Sequence, residues 1–135
     1  MTAEVERYLA KAQESLASAR ADLDAARFNS AANRAYYAAF QAAVAMLLES
    51  GVRPRGESWD HQFVIAEFSG TLVSRRKTIA GRFRGTLAAL FDIRVIADYQ
   101  VRDVSRRQAR KALSQAAELV GEVRQRLKLE ESDGS

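Results

Sequence analysis

Residues 30–48 read SAANRAYYAAFQAAVAMLL, and the fourteen residues from Ala35 to Leu48 carry no charge. A bilayer span needs about 20 apolar residues, so this stretch is too short to cross a membrane. It reads instead as a helix buried on most of its sides. Tyr37, Phe40, Val44 and Leu48 fall on one side of such a helix, and Tyr36, Ala39, Ala43 and Met46 fall on others. A helix lacking a polar face must be surrounded by other helices or by a second subunit. Asn33, Arg34 and Gln41 are its polar exceptions. They are either hydrogen-bonded core polars or the wall of a polar pocket.

The flanking segments are helical as well. Thr2 can cap a first helix with Glu4 and Glu6 in its first turn. That helix aligns Val5, Leu9, Ala12, Leu16, Ala19, Leu23 and Ala26 on one face. Phe28-Asn29-Ser30 breaks the pattern, and Ser30 is expected to cap the second helix, which stops before Gly51 and Pro54. Ser58 is expected to open a short helix that Ser69-Gly70 ends. A fourth helical segment places Ile79, Phe83, Leu87, Leu90 and Ala97 on one face and reaches Tyr99, with Gly81 and Gly85 leaving its start open. Ser105 and Gln108 form a capping box for the last helix.

The expected fold is all-α: an up-down bundle of four long helices and one short helix. One helical domain covers 1–129, and 130–135 form a polar, disordered tail. Alanine fills 25 of 135 positions against one Pro and seven Gly, which favours helix over a sandwich or barrel.

Two counts narrow the chemistry. With no Cys there is no disulfide, no thiolate metal site and no Cys nucleophile. With one His, a site built on several histidines is impossible within one chain. His61 alone is poor evidence for a metal; a capping or packing role is the expectation, with no metal and no cofactor. The N-terminus, MTAEVERYLAKAQ, lacks the apolar core of a signal peptide, so the expectation is a soluble cytoplasmic protein.

The net charge is +4, but residues 71–111 alone hold eleven Arg and Lys against three Asp. A localised excess of this kind suits a polyanion such as RNA, with Arg75, Arg76 and Lys77 as backbone-phosphate contacts. A solvated helical face is the competing reading. Arg94 is singular because its helical position falls within the apolar stripe. An unpaired charge there costs several kcal/mol, and Asp98 at i+4 is its nearest partner. The pair either fixes two helices together or aims the planar guanidinium at a phosphate.

Three strings carry a resemblance: Arg34-Ala-Tyr36-Tyr37-Ala-Ala-Phe40, then Trp59-Asp60-His61, then Leu90-Phe91-Asp92-Ile93-Arg94-Val95-Ile96-Ala97-Asp98-Tyr99. In that order they resemble the HEPN domain superfamily over about residues 5–128. The resemblance is nearest to the small stand-alone prokaryotic members that pair with a minimal nucleotidyltransferase. It implies a homodimer with Arg94 near the subunit interface, a toxin–antitoxin setting, and in many members metal-independent RNA cleavage by an Arg followed by a His about four to six residues later.

Here Val95 to Val101 contain no His, and Tyr99 stands at the five-residue position. Tyrosine, with a pKa near ~10, moves protons poorly at neutral pH, so the departure argues against cleavage. Two readings follow. One is the HEPN partner of a nucleotidyltransferase that touches RNA or a nucleotide through Arg34, Tyr37, Arg94 and Asp98, with Arg94 and Tyr99 as the candidate catalytic pair. The other is a non-catalytic dimeric module that binds a nucleotide or docks a partner. Tyr99 is also the phenol that a nucleotidyltransferase could modify.

Overall fold

The computed structural model describes residues 1–133, with side chains as far as Lys128. The chain is all-helical, and among the described residues there is no strand. Its centre is α2 (Phe28–Glu49), where Ala31, Ala32, Ala35, Ala38, Ala39, Ala42, Ala43 and Ala45 are all buried together with Tyr36, Phe40, Val44, Met46 and Leu47. Alanines on several sides let neighbouring helices approach closely. Accordingly α1 (Ala3–Asp24), α4 (Thr86–Tyr99) and α5 (Arg106–Asp133) all pack on α2.

Thr2 caps α1 as its sequence suggests, its Oγ1 accepting the Val5 N–H at 3.2 Å. Val5, Ala12, Leu16 and Ala19 form the buried face, joined by Ser15. The apolar period continues to Ala26, but the helix ends at Asp24. There the Ala26 N–H donates to Leu23 O and the Arg27 N–H donates to Asp22 O, with Ala26 at φ +60°. The same pair of bonds closes α2, from Gly51 to Leu48 and from Val52 to Leu47, with Gly51 at φ +85°. Both are Schellman endings, which favour Gly at the left-handed position.

Ser30 does not cap α2, because α2 starts at Phe28. The tight end of α1 brings the Asp22 carboxylate to Ser30, whose hydroxyl donates to it at 2.6 Å. That hydrogen bond, together with the Arg27 ion pair at 2.9 Å, holds Asp22 below the usual carboxylate pKa. Nor does Ser58 open α3 (His61–Glu67). Asp60 does, accepting the Phe63 N–H at 2.9 Å. Ser69-Gly70 does not end this segment either. A π-helical stretch, Phe68–Arg75, follows directly and buries Phe68, Thr71, Leu72 and Val73. Its wide turn lets three consecutive side chains reach the core, which outweighs the breaking tendency of Ser and Gly.

The segment from Ile79 is not one helix. Gly81–Phe83 form a 3₁₀ turn that buries Phe83, and α4 begins only at Thr86. Ser105 and Gln108 form the expected capping box, with bonds of 3.0 and 3.1 Å. α5 then buries Ala109, Ala112, Ala116, Leu119, Val120, Val123 and Leu127. Its backbone continues through Asp133. Of the tail expected at 130–135, Gly134 and Ser135 lie outside the described residues, as do the side chains before them. No described helix is long and apolar enough to cross a membrane.

Candidate functional site

At the start of α2, Asn29 Oδ1 accepts the Val104 N–H at 2.8 Å and its Nδ2 donates to Asp103 at 3.0 Å. These bonds pin the α4–α5 loop beside α2 and bring the end of α4 over the first turns of that helix. One turn further along α2, Asn33 Nδ2 donates to both carboxylate oxygens of Asp98, at 2.9 and 3.2 Å. Arg34 closes the network from the other side, its Nε and Nη2 donating to Asn33 Oδ1 at 3.0 and 2.8 Å. The Arg34 guanidinium lies 5.0 Å from the Tyr37 ring centre.

Arg94 stands inside this frame. Its side chain is 13% exposed, and its Nε lies 3.1 Å from Asp98 Oδ2. That Nε is nevertheless buried and makes no hydrogen bond. Coulomb attraction tolerates poor alignment, whereas a hydrogen bond does not, and Asp98 is already oriented toward Asn33. The ion pair therefore neutralises Arg94 without saturating it. The guanidinium carbon lies 5.4–5.9 Å from the ring centres of Tyr36, Tyr37, Phe91 and Tyr99. Four rings at cation–π range offset part of the desolvation cost of a charge in the apolar stripe. Tyr99 forms the outer wall at 72% exposure.

His61, expected to have a packing or capping role, belongs to the same cluster. Its Nδ1 lies 2.6 Å from the hydroxyl of the buried Tyr36. Its ring packs 4.9–5.9 Å from Phe40, Tyr36, Tyr37 and Phe91. Burial, reinforced by the Arg94 charge, lowers the His61 pKa, against a smaller opposing effect of Asp60. The phenol of Tyr36 is pushed well above the usual tyrosine value by burial. The sequence signal for His61 was its place in the string Trp59-Asp60-His61.

The basic run lies elsewhere. Arg76 Nη1 donates to Ser50 O at the far end of α2, about 25 Å along the helix from Asn33 at 1.5 Å per residue. Arg75 bonds Thr71 and faces Glu67, while Lys77 is exposed at φ +56°. Arg82 pairs with Glu118. Gln41 also turns away, its amide 2.7 Å from Ser15 Oγ on α1. Arg34, Tyr37, Arg94, Asp98 and Tyr99 are thus brought together, and Arg75, Arg76 and Lys77 are not among them. No group of three or more potential metal ligands occurs among the described residues.

The family model for the HEPN domain matches residues 5–126, most of the chain. The chain belongs to the HEPN domain family. No curated protein matches the sequence. Within this HEPN domain, Arg94 and His61 come from separate helices and are set around the same three rings only by the fold.

Proposed function

We propose that this HEPN domain binds a phosphate-bearing ligand, RNA or a nucleotide, at the Arg94 cluster, and does so without cleaving RNA. The observation that carries this reading is Arg94 itself: a nearly buried guanidinium, held beside Asp98 through its Nε and walled by four aromatic rings. A rigid donor fork suits phosphate, and rings such as Tyr99 and Tyr37 suit a stacked base. The absence of a His after Arg94 removes the expected proton carrier from that segment.

In this reading the chain is an up-down bundle that works as a homodimer, with Arg94 near the subunit interface, and partners a minimal nucleotidyltransferase in a toxin–antitoxin-type pair. α4 supports the self-association through its incomplete burial: of its fourteen residues only Leu87 and Leu90 are fully buried, and Phe91, Ile93 and Ile96, though packed against the protomer's own core, stay partly exposed together with Val95. A dimeric docking module that binds no phosphate is the second reading, favoured by the same incomplete burial of α4.

Expression of the wild type and of Arg94→Ala in cells, with growth and total RNA followed, tests the reading. Intact RNA, with Arg94-dependent capture of RNA or nucleotide by the purified protein, supports it. RNA degradation that requires Arg94 would overturn the non-cleaving part, and no capture by the wild type would favour the docking module.

A further inference from the structure

The hydrogen bond between Tyr36 and His61 determines which imidazole nitrogen can meet a ligand. Tyr36 is fully buried, and His61 is the hydrogen-bond partner described for its hydroxyl. A buried hydroxyl that fails to donate is costly, so Tyr36 donates and His61 Nδ1 accepts. A neutral imidazole accepting at Nδ1 carries its proton on Nε2, and burial beside the Arg94 charge favours the neutral ring. His61 and Arg94 share the rings of Tyr36, Tyr37 and Phe91, and neither residue is fully buried.

We propose that His61 Nε2–H and the Arg94 guanidinium donate together to one phosphate group, with Tyr36 as the positioning residue that fixes the imidazole tautomer. The proposal rests on the reading of Arg94 as a phosphate contact and adds a second donor to it. It also supplies a reason for binding without cleavage. Nε2 already bears its proton and cannot take one from a ribose 2′-hydroxyl, while Nδ1 is occupied by Tyr36.

His61 is the chain's single histidine, so imidazole nitrogen resonances are unambiguous. NMR of the ¹⁵N-labelled wild type at neutral pH is expected to show a protonated Nε2 and a hydrogen-bonded, unprotonated Nδ1. A proton on Nδ1 would overturn the proposal without any variant having to fold.

The second arm is fluorescence anisotropy with a short fluorescein-labelled single-stranded RNA. Arg94→Ala and His61→Ala are each expected to lose about tenfold in affinity, the effect of one charge-assisted hydrogen bond. Tyr36→Phe keeps the ring, mixes the tautomers and is expected to lose about threefold. Competition by ATP that disappears in His61→Ala identifies a free nucleotide as the phosphate source, and the lack of competition identifies the RNA backbone. An effect of Arg94→Ala with none of His61→Ala overturns the His61 assignment alone. No effect of Arg94→Ala overturns the underlying reading.

Discussion

Asn33 holds both oxygens of the Asp98 carboxylate, joining the first turns of α2 to the end of α4. Asp98 is in turn the acid beside Arg94. One neutral amide thus sets the direction of the charge that sets the direction of the guanidinium.

Asn33→Ala should cost about 1–2 kcal/mol of stability, since a hydrogen bond to a charged group is worth about 1.5–3 kcal/mol and this one is partly solvated. Urea denaturation gives the value. A midpoint equal to wild type would mean that the bond contributes nothing to joining the helices. The variant frees Asp98 to align on Arg94, so ligand affinity should fall with it.

Ala26→Gly should stabilise the protein by about 1 kcal/mol. Ala26 adopts φ +60° in the Schellman ending of α1, a conformation that costs an L-residue about 1–2 kcal/mol and Gly little. The greater freedom of Gly in the unfolded chain offsets part of the gain. Thermal unfolding that shows no rise in Tm would contradict the assignment of strain.

Stability should fall as the solution is acidified through the range in which histidine titrates. Burial first, then Arg94, lower the folded pKa of His61 below 6.5, so the unfolded chain binds the extra proton first. The contribution is complete above the unfolded pKa and is lost as pH drops through the folded value. His61→Gln should flatten this part of the profile, measured as the urea midpoint between about pH 7.5 and about pH 5. Tyr36 acts in the opposite direction at high pH. Its folded pKa lies above 10.0, so stability should decline once the unfolded phenol ionises.

Tyr99 is accessible and lies over Arg94, so under the proposed pairing a minimal nucleotidyltransferase given ATP should add mass to the peptide that contains it. An unchanged peptide mass would contradict this role. Tyr99→Phe should leave the fold intact, because the residue is 72% exposed.

The helices were legible where local rules decide. The charge-free run of α2, the Thr2 cap and the Ser105–Gln108 box all rest on periodicity or on bonds between near neighbours. Arg94 was visible as a cation in an apolar stripe, and Asp98 as its i+4 acid. The misreadings at Ser30 and at Ser69-Gly70 arose where packing between elements outweighed a local preference, whereas Ser58 lost its place to a nearer local cap, Asp60. Asp22, at the end of α1, took the hydroxyl of Ser30 that was expected to cap α2. The burial of Phe68, Leu72 and Val73 carried a helix through Ser69-Gly70. His61 lies on a different helix from Arg94, and no spacing rule links them. The basic run was visible as charge, but its distance from Arg94 depends on Arg76 docking at Ser50.

Under the proposed function, phosphate binds at Arg94 rather than along Arg75-Arg76-Lys77. Titration of a short single-stranded RNA against the wild type, Arg94→Ala and the combined Arg75→Ala, Arg76→Ala and Lys77→Ala variant tests it most directly. Arg94→Ala should lose about tenfold in affinity, while the combined variant should keep both its affinity and its salt dependence, since residues that neutralise no phosphate do not set the slope. Full affinity in Arg94→Ala, with binding abolished in the combined variant, would contradict it.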